Sequence, residues 1–360
     1  MQKGLKSWCV GFLFLSCAFG QAVFGEETPI ELATDHPTEY IVKSGDTLWD
    51  IAGFFLKDPW RWNEVWRLNP DIENPNRIYP GDVISLKIVN GKPELNVTRK
   101  DENHNGFSGK PGDVVKLSPK VHKSSLDNAI PTIPLKVIGP FLNHSRVIEE
   151  TTCAHAPKIV ALEDERLLEG AGDIIYVTSQ EPLSERNYDV FRIGKSYTHP
   201  VTKCFLGLEA EVLGSAILKT QDSLSVLLLT ESTQEIRIGD KLLAVEREQV
   251  QPYFLPQLPK GQSDGYLISV FGGVSQIGQH QVAVVTGGKD LGRREGDVLA
   301  IYRTEKEIPS RLLAHKKANY EFPKLNIGTV LVFKVFDKVS YALITQAKRP
   351  IYLHDEVGTP

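Results

Sequence analysis

Tyr40-Ile41-Val42-Lys43-Ser44-Gly45-Asp46-Thr47-Leu48-Trp49-Asp50-Ile51-Ala52 opens with a short β-type run, turns at a glycine, and then changes to helical spacing. Gly45 permits the turn, and Asp46 or Thr47 is placed to cap the helix that follows. Leu48, Ile51, Ala52 and Phe55 recur at i, i+3, i+4 and i+7, the apolar stripe of a short helix that ends before Asp58-Pro59. An aspartate followed by proline is a second helix start, and Trp62, Val65 and Trp66 repeat at helical spacing until Asn69-Pro70 stops them. After a loop from Asp71 to Asn76, Arg77-Ile78-Tyr79-Pro80-Gly81-Asp82-Val83-Ile84-Ser85-Leu86 reads as a Pro-Gly turn feeding a strand. The order is β-α-α-β in about 47 residues.

This segment resembles a LysM domain, the small peptidoglycan- and chitin-binding module. The family's opening Tyr-x-Val-x-x-Gly-Asp-Thr-Leu-x-x-Ile-Ala matches Tyr40 to Ala52, and its closing Asn-Pro and Ile-x-Pro-Gly match Asn69-Pro70 and Ile78 to Gly81. The tryptophan-rich middle, Phe54 to Trp66, is longer than the commonest version. The resemblance implies a shallow groove for N-acetylglucosamine-containing glycan, lined by Gly45, Asp46, Thr47 and Leu48 on one side and Asn69, Pro70, Asp71, Ile78 and Tyr79 on the other. Backbone N–H and C=O groups would pair with the acetamide while apolar side chains cover the sugar C–H faces. Four of the five tryptophans (Trp49, Trp60, Trp62, Trp66) lie here. In so small a domain Trp49, Trp62 and Trp66 are expected in the core, with Trp60 open to either role. Asp46 is expected to serve the fold through its carboxylate and a ligand through its loop backbone.

Outward from this module, the first 25 residues read as a secretory signal: Lys3 and Lys6, an apolar stretch from Trp8 to about Phe19, and cleavage after Gly25. A rival reading makes Phe14-Leu15-Ser16-Cys17 a degraded lipobox with Cys17 lipidated. The apolar run is shorter than the roughly 20 residues a membrane span needs. Over 360 residues, 41 Lys and Arg against 45 Asp and Glu leave a charge of −4, without the basic excess a nucleic-acid binder uses on phosphates. The expected location is the periplasm. Beyond the signal, the cysteines are Cys153 and Cys204, and one disulfide is the only intramolecular pairing. It would close a loop of about 50 residues and stabilise by about 4 kcal/mol in the chain-entropy model. Two unrelated thiols fit the sequence equally well.

From Asn90 to about Pro134 the composition (Asn, Gly, Ser, Pro, Lys) is that of an irregular connector. After Lys136 come short apolar runs bounded by Gly, Pro and Asp: Lys158 to Leu162, Ile174 to Val177, Val212 to Leu218, Ser225 to Thr230, Lys241 to Val245, Val282 to Thr286, Val298 to Tyr302, Val330 to Val335 and Tyr341 to Thr345. They predict an all-β region of barrel- or sandwich-like modules. Gly-Asp precedes a strand at Gly172-Asp173, Gly239-Asp240 and Gly296-Asp297, a turn in which glycine supplies positive φ and aspartate bonds nearby backbone. An internal echo pairs Gly170 to Tyr176, Gly214 to Ile217, Ser225 to Thr230 and Ile236 to Leu242 with Arg294 to Ala300, Gly328 to Leu331, Ser340 to Thr345 and Ile351 to Val357, at an offset of about 115 to 124 residues. His354 stands where the last of these turns would have glycine.

The fold class expected is therefore α+β and multidomain: a signal (1–25), a short linker (26–38), a βααβ LysM domain (39–89), a flexible linker (90–135) and two related β-rich modules (136–250 and 251–360). Read whole, the chain resembles the TsaP family, LysM proteins associated with the type IV pilus secretin, whose C-terminal part is similar to that of the flagellar protein FlgT. The residues that carry this are Ala156 to Val160, Leu168 to Asp173, Phe271 to Gln279 and Phe333 to Leu343. The resemblance implies glycan strands and an outer-membrane secretin as partners, with several copies ringing one complex.

Catalytic signatures are sparse. His-x-His and His-Glu-x-x-His are absent among the nine histidines, and so are Gly-x-Ser-x-Gly, Ser-x-x-Lys and a phosphate loop. Cys153-x-His155 is the nearest thiol–imidazole pair, better read as structural. Glu149-Glu150 and Asp164-Glu165 are the acidic pairs a glycosidase would need at a defined separation, and solvated surface is their simpler reading. The expectation is a non-enzymatic wall-binding protein with no cofactor or metal. The competing classes are a LysM-targeted hydrolase and a general wall binder without a secretin partner.

Overall fold

The structure, a computed structural model, describes residues 29–66, 78–98, 132–143, 145–163, 170–245, 254–261, 263–271, 277–304 and 323–360. The signal segment, Cys17, Asn69, Pro70, Asp71, the Asp164-Glu165 pair and most of the 90–135 connector lie outside the described residues.

The N-terminal module contains β1 (Glu39–Ile41), α1 (Leu48–Phe55), a 3-10 turn (Pro59–Arg61), α2 (Trp62–Trp66), β2 (Val83–Val89) and β3 (Lys92–Thr98). The strands form an antiparallel sheet in the order β1-β2-β3. β3 lies in the stretch whose composition reads as connector. Its turn, Asn90-Gly91 at φ +51° and +77°, is the two-residue hairpin signal, and it sets Val89 opposite Lys92. The helical stripe is buried as its spacing requires: Leu48, Ile51, Ala52 and Phe55 join Val42, Trp62, Val65, Trp66, Ile78, Ile84 and Leu95 in one core.

The C-terminal region begins with α3 (Leu135–Asn143), β4 (Ser145–Ile148) and α4 (Glu150–His155). Six strands follow: β5 (Lys158–Leu162), β6 (Ile174–Thr178), β7 (Asn187–Thr198), β8 (Phe205–Gln221), β9 (Ser225–Ser232) and β10 (Lys241–Ala244). They pair in the order β4-β8-β7-β10-β5-β6-β9, and a further β8–β9 pairing returns the sheet on itself, leaving β4 outside β8. The last strands are β11 (Gly265–Val270), β12 (Val282–Thr286), β13 (Val298–Thr304), β14 (Lys324–Val335), β15 (Val339–Ala347) and β16 (Glu356–Gly358), closed as a barrel in the order β11-β12-β15-β14-β13-β16. Counted from its first strand, each ring runs first, second, fifth, fourth, third, sixth.

That order corrects one segment of the internal echo. β6 is second in its ring and β13 third, so Gly170 to Tyr176 and Arg294 to Ala300 do not correspond. The other three segments fall on strands of equal rank. The mispairing arose because the Gly-Asp turn is a general strand-entry device here, found also before strands of different rank. It closes identically at Gly170–Asp173, Arg237–Asp240 and Arg294–Asp297, where the aspartate Oδ2 accepts the first residue's N–H at 3.0, 2.8 and 2.9 Å.

Barrel strands β12 to β15 are apolar on both faces for a physical reason. Inward-pointing Ala283, Val285, Val330, Val332, Ala342 and Ile344 fill the barrel, while Val282, Val284, Leu331, Phe333, Tyr341 and Leu343 belong to a second cluster outside it. Val137, Ile138, Phe141 and Leu142 of α3 cover that outer face, so alternation gives way to continuous apolar runs. Lys334 Nζ donates to the Leu142 and Ser145 carbonyls at 2.7 and 3.2 Å, tying the α3–β4 connection to β14.

Candidate glycan-binding site

Two turns meet at one end of the β1–β2 ladder. Val42 N–H donates to Asp82 O at 2.9 Å and Gly81 N–H donates to Val42 O at 2.8 Å, which sets the Lys43–Asp46 turn beside the Tyr79–Asp82 turn. Both are built alike. Gly45 and Gly81 sit at φ +96° and +98°, where only glycine is unstrained. Asp46 Oδ2 accepts Lys43 N–H at 2.8 Å, and Asp82 Oδ2 accepts Tyr79 N–H at 3.0 Å. A Cβ on either glycine would meet nothing within 4 Å, so both turns present their backbone to open space.

Of the residues expected at the site, Gly45 and Tyr79 belong to these turns, with Gly45 exposed and Tyr79 half-buried. Asp46 is committed to the fold, since its Oδ2 also accepts from Tyr40 Oη at 2.9 Å. Burial, and then the Asp46 carboxylate, hold the Tyr40 hydroxyl above its ordinary pKa and keep it a donor. The cap belongs to Thr47: its Oγ1 accepts Asp50 N–H at 3.1 Å and donates to Asp50 Oδ2 at 2.7 Å. Thr47, Leu48 and Ile78 are buried at 3%, 2% and 1% exposure, with Leu48 and Ile78 in the core beneath the turns.

The LysM domain family model matches residues 40–87. Those residues are a LysM domain. LysM is a binding module for peptidoglycan or N-acetylglucosamine glycan, without catalytic chemistry, and it fits an extracytoplasmic or cell-wall setting. Over 60 residues the chain is 37% identical to "Uncharacterized protein YqbP" of Bacillus subtilis (strain 168), a match covering 14% of this chain and 27% of that protein. The chain thus spans about a quarter of the relative it matches.

All four tryptophans of the LysM region are buried, so none offers an open ring to a sugar. Trp62 and Trp66 meet edge to face at 6.1 Å inside the LysM core. Trp49 and Trp60 point the other way, into the cluster of Ile133, Ile138 and the outer face of the closed barrel. Trp49 N–H also donates to Thr132 O at 3.2 Å. Sequence reasoning missed Arg61, which is 8% exposed and holds Glu64 through Nε and Nη2 and the Pro29 carbonyl through Nη1. An arginine on a short helical turn reads as surface, and only the burial reveals its role.

The remaining candidates separate. Cys153 is buried on α4 and Cys204 is exposed after the β7–β8 turn, and each stands as a free thiol in this structure. Lys241 Nζ lies 3.8 Å from Cys153 Sγ, and His155 Nδ1 donates to Thr151 O at 2.8 Å, each group being satisfied within its own neighbourhood. Glu149 and Glu150 are exposed around the start of α4.

Proposed function

We propose that this chain is a non-enzymatic periplasmic wall anchor. Its LysM domain holds glycan strands of peptidoglycan, and its C-terminal region braces an envelope complex, with an outer-membrane secretin of the type IV pilus as the leading partner. The observation that carries the first half is the pair of side-by-side turns with exposed backbone in residues that match LysM. Backbone amides and carbonyls at fixed spacing suit a neutral acetamido sugar. Asn69, Pro70 and Asp71 complete the proposed groove with Gly45, Asp46, Thr47, Leu48, Ile78 and Tyr79. The secretin rests on the resemblance to the TsaP family in the sequence. Several copies on one ring would raise the effective concentration of sites and make a modest single-site affinity sufficient.

We also read the C-terminal region as two related modules, here 136–250 and 251–360. Strand order supports this, and so do side chains of equal rank. Arg192 on β7 clasps Asp240 at 2.8 and 2.7 Å and donates to Glu235 O; Arg303 on β13 clasps Asp355 through Nε and Nη2 and donates to Pro350 O. At Gly214 and Gly328 a Cβ would fall 2.2 and 2.4 Å from the Glu231 and Gln346 carbonyls, so the same close strand crossing needs glycine in both.

The test is cosedimentation of the chain lacking residues 1–25 with purified sacculi, with muropeptide release assayed in the same tubes. Binding that a bulky Gly45→Val replacement weakens, without released fragments, supports an anchor. Released fragments establish a hydrolase instead. Binding without secretin recovery from detergent extracts leaves a general wall protein.

A further inference from the structure

A second concave surface lies between the turn after β7 and the β11, β13 and β16 side of the second barrel. Two adjoining depressions, of about 580 and 610 Å3, share Tyr266, Tyr302 and Glu356. Tyr352 stands at the outer end, 39% exposed. The three rings are held in place before any ligand arrives. His199 packs edge-on to Tyr266 at 5.4 Å, Tyr302 Oη donates to Thr359 O at 2.7 Å, and the Arg303 guanidinium stands 4.6 Å from the centre of the Tyr352 ring. Ordering of these side chains is therefore not a cost left for binding.

The cations of the lining are paired, and Asp264 adds one further carboxylate at the rim. Lys324 Nζ pairs with Glu356 at 2.6 Å, and Arg303 pairs with Asp355. The groove thus offers aromatic rings and polar rims with its cations already neutralised, which suits a neutral polyhydroxylated ligand better than a nucleotide or an acidic peptide. The first module provides a contrast. Its arginine–aspartate clasp is the same, but the residues preceding and opening that clasp are Phe191, fully buried, and Arg237, where the second module has Tyr302 and Tyr352. The tyrosine lining is accordingly not required by the fold.

We propose that this tyrosine groove is a second glycan site, taking the same N-acetylglucosamine-containing strand that the LysM domain is read to bind. The proposal rests on that reading for the identity of the polymer. Sugar C–H faces would lie on the tyrosine rings, with hydroxyl and acetamide groups meeting the polar rims. Two sites on one chain would make attachment to a long strand bivalent.

Hydrogen exchange followed by mass spectrometry on the chain lacking residues 1–25, with chitohexaose as probe, tests this without any variant. The expected result is slowed exchange in two places, residues 40–48 with 78–86, and residues 263–271 with 298–304 and 352–359. Protection confined to the LysM segments overturns the groove and leaves the wall-anchor reading standing; protection confined to the groove does the reverse. Protection of the groove by peptide-bearing muropeptides but not by chitohexaose overturns the ligand class. A Tyr266→Ala, Tyr352→Ala double variant with an unchanged melting profile should bind peptide-free glycan strands about tenfold more weakly, and undiminished binding would also overturn the proposal.

Discussion

Tyr40 Oη and Lys43 N–H converge on one oxygen, Asp46 Oδ2, at 2.9 and 2.8 Å. The ring of Tyr40 also stacks on Phe54 at 5.0 Å, so the turn that exposes Gly45 is held from strand and helix together. The Asp46 carboxylate acts as a shape-keeping acceptor. Asp46→Asn retains an acceptor for the Lys43 N–H and should bind sacculi nearly as well as the parent. Asp46→Ala removes both bonds, should lower stability by about 1–2 kcal/mol, and should weaken binding several-fold. Cosedimentation beside thermal melting checks both; equal binding by the alanine variant would place the ligand elsewhere.

Trp60 lies outside the LysM core, in the cluster that also holds Ile133, Ile138 and outer residues of the closed barrel, and Trp60→Ala should cost about 3 kcal/mol there. Scanning calorimetry should then resolve a LysM transition separate from that of the C-terminal region. A single transition, unshifted, would show that the contact carries no stability.

Asp297 is fully buried, and removal from water pushes its carboxyl above the ordinary carboxylate pKa despite the opposing bond from Arg294 N–H. A carboxyl that holds its proton more tightly when folded makes the native state bind more protons than the unfolded one. Stability therefore falls as pH rises from about 4 through the raised pKa, and the penalty persists above it. Asp297→Asn keeps an acceptor for the turn and should flatten this decline, seen as a melting temperature that varies less from pH 4 to 7.

His354 occupies the place of glycine in the last strand-entry turn, at φ +72°. Asp355 Oδ2 still accepts Tyr352 N–H at 2.8 Å, so the turn closes in spite of the Cβ. Replacing it, His354→Gly, should relieve the left-handed strain and raise stability by about 0.5–1 kcal/mol after the greater freedom of unfolded glycine is subtracted. Denaturant titration would show the midpoint moving up with an unchanged slope.

Much of this architecture was legible because short-range chemistry decided it. The change from alternating to helical spacing at Gly45 and the Asp58-Pro59 restart marked the LysM helices, and nine apolar runs fell on strands. What escaped had its cause at a distance. α3 contains Gly139 and Pro140, which break a helix by propensity, and it forms because its apolar side chains cover the closed barrel. β7 carries Gly194 and Lys195 on an exposed arm, so its alternation is weak until β8 pairs with it. At the site, glycine and aspartate positions could be read from the turn, whereas Leu48 and Ile78 proved to be core. In so small a module the residues that mark the family are also the ones that fold its turns and core.

Trp49 and Trp60 join the LysM domain to the body of the protein through side chains rather than through the chain alone. A load applied at the glycan would thus pass sideways through packed rings into α3 and the barrel, in parallel with the connector. Such a joint resists shear and transmits orientation as well as tension, so the angle at which the LysM domain is held would be imposed on the C-terminal region.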